Sequence, residues 1–161
     1  MVEGSISKLV RKVIDAWALT GGLLLGVVVA VNVWTVLGGL VGLPFAGDFE
    51  LTQMGVAAAA FMFLPFCQLN RHNVTADIFT ANIKPSCQKR LDGLGSLVAV
   101  MFAALLLWRM YFGMLDQKTY NLASTILQLP VWWVYLPILV SLMLLVLAAI
   151  LTTLEDFSGK T

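Results

Sequence analysis

Residues 51–79 read LTQMGVAAAAFMFLPFCQLNRHNVTADIF. No charge occurs from Leu51 to Leu69; Arg71, the single histidine His72 and Asp77 then follow closely. Such a change marks either a cluster of reactive groups or the point where a membrane segment meets water. The uncharged part is close to the roughly 20 residues that an α-helix needs to cross about 30 Å of hydrocarbon.

Working outward, three further apolar runs cover residues 17–43, 94–115 and 131–154. The chain of 161 residues is 60% hydrophobic and 12% charged, where a soluble domain carries about 25% charged residues. The excess apolar surface must face something other than water. Period-two alternation is absent, which argues against a membrane β-barrel. These observations predict an all-α membrane protein, one domain over 1–161, with four transmembrane helices at about 17–43, 50–69, 94–115 and 131–154. The first run follows Lys8, Arg11 and Lys12, as a secretory signal would. A signal core spans only about 7–15 residues, however, so a permanent helix is expected, tilted or broken near Gly38 and Gly39.

Basic residues set the orientation. Lys8, Arg11 and Lys12 precede helix 1; Arg71, Lys84, Lys89 and Arg90 lie between helices 2 and 3; Lys160 is in the tail. Four alternating helices place all of these on one side, against Lys118 on the other. The positive-inside rule then puts both termini and the 70–93 loop in the cytoplasm. Trp132, Trp133 and Tyr135 open helix 4 at the outer interface, and Trp17 marks the inner end of helix 1. Residues 74–83 place Val74, Ile78 and Ile83 before Pro85, the pattern of a short helix lying in the headgroup plane. Arg71, His72 and Asp77 are expected to anchor that interface, with Arg71 reaching lipid phosphates.

Candidate chemistry is sparse. One histidine cannot supply the ligand pair of a membrane haem, nor a metal site. Cys67 and Cys87 form no C-x-x-C and map to the reducing side, unlike the pairs of quinone-linked thiol oxidases, and read as inert thiols. No catalytic residue and no cofactor is expected. Asn32 is the most central strongly polar side chain. Glu50 opens helix 2, and Arg109 lies about six residues inside the outer end of helix 3. The expectation is a structural Glu50–Arg109 ion pair joining helices 2 and 3. Snorkelling of Arg109, or its contact with another subunit, is the other outcome. Small residues at Gly22 and Gly26, at Gly38 and Gly42, and from Gly55 onward mark expected helix-packing faces. Pro65 and Pro137 are expected to bend helices 2 and 4.

Together these residues resemble a known family, the small membrane (Q) subunit of tripartite ATP-independent periplasmic (TRAP) transporters. The similarity covers essentially the whole chain and is most specific from Glu50 to Asp77. There an acid opens helix 2, and a basic residue, histidine or asparagine, valine and aspartate follow it; Glu50, Arg71, His72, Val74 and Asp77 fit. Family members often carry glycine where this chain has Arg71. The resemblance implies a non-enzymatic subunit of the bacterial inner membrane that braces a large, sodium-driven, elevator-type membrane subunit. It also implies help in docking a periplasmic substrate-binding protein for uptake of carboxylate-type solutes. The implied partners are those two proteins and membrane lipids, not nucleic acid. Two other readings compete: a self-contained small homodimeric transporter, and the small subunit of another tripartite carboxylate transporter. Small multidrug exporters bury a glutamate well within a helix, whereas Glu50 stands at a helix end.

The charge asymmetry makes a direct prediction. A reporter active only in the cytoplasm, fused after Thr161, should be active; activity from a periplasm-only reporter at that site would overturn the topology.

Overall fold

The computed structural model describes residues 2–43, 45–70 and 85–157. Four helices form: α1 (Val2–Leu40), α2 (Asp48–Leu69), α3 (Pro85–Thr119) and α4 (Trp132–Phe157). Within them the stretches Ser7–Leu40, Asp48–Leu69, Leu97–Thr119 and Trp132–Leu154 are each long and apolar enough to cross a membrane. Among the described residues no strand forms beyond one isolated bridge, Ala123 to Pro130. The expected interfacial helix at 74–83, with its anchors Arg71, His72 and Asp77, lies outside the described residues.

The helices overrun the apolar runs that announced them. α1 has 39 residues, about 58 Å at 1.5 Å per residue. That exceeds the hydrocarbon thickness, so the turns carrying Lys8, Arg11 and Lys12 project beyond it. α3 begins at Pro85, a residue whose fixed φ and missing N–H suit a first helical position. The far end of α1 closes in a Schellman arrangement: Leu43 N–H donates to Gly38 C=O at 2.8 Å and Gly42 N–H to Gly39 C=O at 3.4 Å. Gly42 sits at φ 74°, the left-handed position that favours glycine. Gly42 therefore stops the helix rather than packing it, and Gly38 and Gly39 supply the capped carbonyls instead of a mid-helix break.

The helices line up in the order α1, α2, α4, α3. α4 packs along both α2 and α3, α1 packs along α2 and touches α4 lightly, and α2 and α3 share no packed seam. Near one end Ile14, Leu69 and Ala148 form a buried cluster with Val10, Phe66 and Leu144 around it. α1 begins and α4 ends at that end. The 41–47 and 120–131 loops close the other, called the loop end below.

Close backbone approach holds α1 to α2. A Cβ on Gly21 would lie 3.0 Å from Met62 Cβ, and one on Gly55 would collide with Val28 Cγ2. Gly22 and Gly26, expected as packing positions, have nothing within 4 Å. The reason is phase: Gly21 and Val28 are seven residues apart and share the stripe facing α2, while Gly22 and Gly26 lie on a stripe facing away. Three interhelical hydrogen bonds complete the α1–α2–α4 core. Asn32 Nδ2 donates to Thr52 Oγ1 at 2.7 Å. Trp17 Nε1 donates to Ser141 Oγ at 2.9 Å. Gln68 Nε2 donates to Thr152 Oγ1 at 3.2 Å, with both residues buried. Such bonds contribute about 0.6 kcal/mol each on average in a membrane, so they fix register more than they add stability.

The glycine geometry separates two substitutions that look alike in sequence. Gly21→Leu should force α1 off α2 and lower the stability of the detergent-solubilised chain by about 1–3 kcal/mol. Gly22→Leu should leave it unchanged. Equal thermal midpoints for the two variants would contradict this packing.

Candidate functional site at the loop end

Asp48 and Glu50 open α2 after Gly47, which adopts φ 108°, ψ 7°. No side chain caps this helix. Glu50 turns instead toward the 120–131 loop. One carboxylate oxygen accepts the Ile126 N–H at 2.8 Å and the other the Leu127 N–H at 3.0 Å. A carboxylate holding two successive amides is a charge-assisted, directional contact. Gly47 completes the joint from below. A Cβ there would sit 2.6 Å from Leu127 Cγ, so the leucine side chain lies directly over the glycine. Position 47 thus needs glycine twice, for its backbone conformation and for its space.

The loop is knit internally as well. Ser124 N–H donates to Leu129 C=O at 2.9 Å, and Val131 N–H to Leu122 C=O at 3.0 Å. Ser124 Oγ accepts the Leu129 N–H at 3.2 Å. Asn121 and Gln128 take left-handed φ of 48° and 54° to make the turns. At its α4 end, Lys118 Nζ lies 5.5 Å from the Trp132 ring centroid, a cation–π contact. Tyr120, Leu122 and Ile126 of the loop are exposed, as are Phe49 and Val41 near the same end.

This geometry corrects one expectation. No ion pair joins Glu50 to Arg109: Glu50 is engaged by the loop amides, and α4 stands between α2 and α3. Asn32 is satisfied by Thr52 and by the Val28 carbonyl at 2.8 Å, and is not a free polar site. Below the loop, α1, α2 and α4 enclose an open groove of about 290 Å³ lined by Val28, Leu51, Met54, Ala58, Pro130 and Trp133 among others. Its walls are nearly all apolar; it suits hydrocarbon and offers nothing to a charged solute. Cys67 is a free, partly buried thiol. Among the described residues no group of His, Cys, Asp and Glu could hold a metal ion. Sequence reasoning singled out Glu50 but missed Gly47, Ile126 and Leu127. The glycine immediately before an acidic helix start was the available signal; the partner amides carry none, because any residue but proline supplies an N–H.

A family model described as "Tripartite ATP-independent periplasmic transporters, DctQ component" matches residues 27–159. That span takes in the loop end, all of α2, α3 and α4, and about the last third of α1. The chain belongs to this family. No curated protein and no solved structure matches it. As a DctQ component it is a membrane part of a transporter, and its four apolar helices agree with that. The Glu50 clasp is then an internal joint of a DctQ component, linking α2 to the connection between α3 and α4.

Replacing one carboxylate oxygen by an amide nitrogen tests the clasp. Glu50→Gln sets an N–H₂ donor against a backbone donor and keeps only one acceptor. Amide hydrogen exchange at Ile126 and Leu127 should accelerate while exchange in α4 stays unchanged. Gly47→Ala should lower stability by about 1–3 kcal/mol through backbone strain. Unaltered exchange at both amides in Glu50→Gln would show that the clasp does not hold the loop.

Proposed function

We propose that this chain is the non-catalytic small membrane subunit of a sodium-driven TRAP transporter of a bacterial inner membrane. It braces a large, elevator-type membrane subunit and extends the surface on which a periplasmic substrate-binding protein docks. The transported solute is of the carboxylate type. One observation carries this reading: the DctQ match over residues 27–159 falls on four helices set in a row. Helices in a row wall off no compartment for a solute. The groove among them is apolar and open, and the central amide of Asn32 is tied to Thr52. These features support a brace rather than a conduit. In this reading Arg71, His72 and Asp77 anchor the segment after α2, and the loop end with Glu50 faces the periplasm.

The experiment is reconstitution. The purified chain alone, in liposomes under a sodium gradient, should take up no carboxylate. With its large membrane subunit and the matching binding protein added, uptake should appear and depend on all three. Sodium-driven uptake by this chain alone would overturn the accessory role. Failure to co-purify with the large subunit would overturn the assembly.

A further inference from the structure

In a bilayer an apolar helix face needs no protein cover, because lipid tails are as apolar as leucine. A charge at the same depth does need a partner. Arg109 is such a charge. It lies within the Leu97–Thr119 span of α3 and is exposed. Asp116 is seven residues further on, so Arg109 sits about 10 Å below the first polar residues of that end, Asp116, Gln117 and Lys118. Exposed Phe102, Leu105 and Phe112 share its face. It makes no hydrogen bond or ion pair with any described residue. Glu50 is committed to the loop, and Asp116 is seven residues on, about 10 Å along the axis.

Lipid phosphate is a poor substitute here. Cα–Cβ bonds in a helix tilt toward its N-terminus, so a side chain covers the turn before its own. α3 starts at the terminal end and finishes at the loop end. Arg109 therefore leaves the backbone pointing away from the nearer boundary, marked by Lys118 over Trp132. In the direction it does point, the apolar span runs on to Leu97, about 18 Å further. A second copy is no better: a two-fold contact centred on this face would set Arg109 against Arg109, a repulsive pairing.

We propose that the Arg109 face of α3 is the seam for one transmembrane helix of the large TRAP membrane subunit, and that this helix carries a carboxylate at the depth of Arg109. The proposal rests on the function proposed above. A carboxylate meets the guanidinium fork through two parallel hydrogen bonds. Phe112 flanks the site, held edge-on to Trp108 at 5.6 Å and to Tyr111 at 5.8 Å between ring centroids. These rings shield the pair from lipid and give the incoming helix a stiff surface.

The test uses the whole complex in its membrane. A photo-cross-linking phenylalanine analogue replaces Phe112 or, separately, Leu105, with Arg109 intact. Irradiation should join this chain covalently to the large subunit at both positions. Adducts with lipid alone, or only between copies of this chain, would overturn the proposal. In a second arm, Arg109→Gln should lower the amount of large subunit retained on the purified chain at least about tenfold, and Arg109→Lys by less. Full retention by Arg109→Gln would also overturn it, and the cross-linking arm does not depend on how that variant folds. Co-purification without an adduct at either position refutes the seam alone. No co-purification of the unmodified chain refutes the function proposed above and the seam with it.

Discussion

Apolar side chains gain nothing by leaving lipid for one another, so helices in a membrane stay together only where backbones come close or polar atoms bond across. The rest of this structure follows from that constraint. Gly21 lets Met62 in, and Gly55 lets Val28 in. Asn32, Trp17 and Gln68 each find a hydroxyl on a neighbouring helix. These contacts all lie among α1, α2 and α4. α3 is attached differently, through buried Ala103, the approach of Gly113 to Tyr135, and Lys118 over Trp132. Among the described residues no side-chain hydrogen bond joins α3 to another helix at mid-depth, and its span is the least buried of the four.

A row of helices with α4 at its inner seam has consequences for function. A closed bundle would hide its polar groups and could enclose a solute. A row exposes two long edges, the outer faces of α1 and α3, and leaves its groove open to hydrocarbon. Such a shape leaves both edges open to lipid or to another membrane protein. The two edges are not equivalent. The exposed face of α1 carries Leu19, Leu23 and Val27 with Gly22 and Gly26 between them, all of which lipid can solvate. The face of α3 carries Arg109, which lipid tails cannot. Electrostatics therefore distinguishes two surfaces that hydropathy treats alike.

The number and placement of the helices were legible in the sequence because length and hydropathy report directly on the bilayer. Family membership was legible from the segment around Glu50. Neighbour relations were not. Adjacent helices in a chain need not be adjacent in space, and the Glu50–Arg109 expectation failed because it treated α2 and α3 as neighbours. The glycine phase on α1 failed for a related reason. Gly22 and Gly26 form the more visible motif, yet rotation of α1 about its axis, set by Val28, Asn32 and Ile14 meeting α2 and α4, turns the less visible Gly21 inward. Gly42 belongs to the helix stop because its backbone turns left-handed, which spacing alone does not reveal.

The loop end joins what the helix row keeps apart. The 120–131 segment leaves α3 beside Lys118 and enters α4 at Trp132, whose ring carries that lysine. Midway it reaches across α4 to the start of α2, where Glu50 takes two of its amides and Gly47 makes room for Leu127. α2 and α3 never pack together, yet one loop couples them at this end. Anything that presses on exposed Ile126 therefore presses on the Glu50 carboxylate one bond away and on Gly47 beneath it. The loop has little freedom to absorb the load, because Ser124, Leu129, Leu122 and Val131 already bond to one another inside it. A protein that binds and transports by moving would place such a joint at a hinge between mobile parts. Here the joint ties a short loop to three helices at once, which makes the loop end stiff.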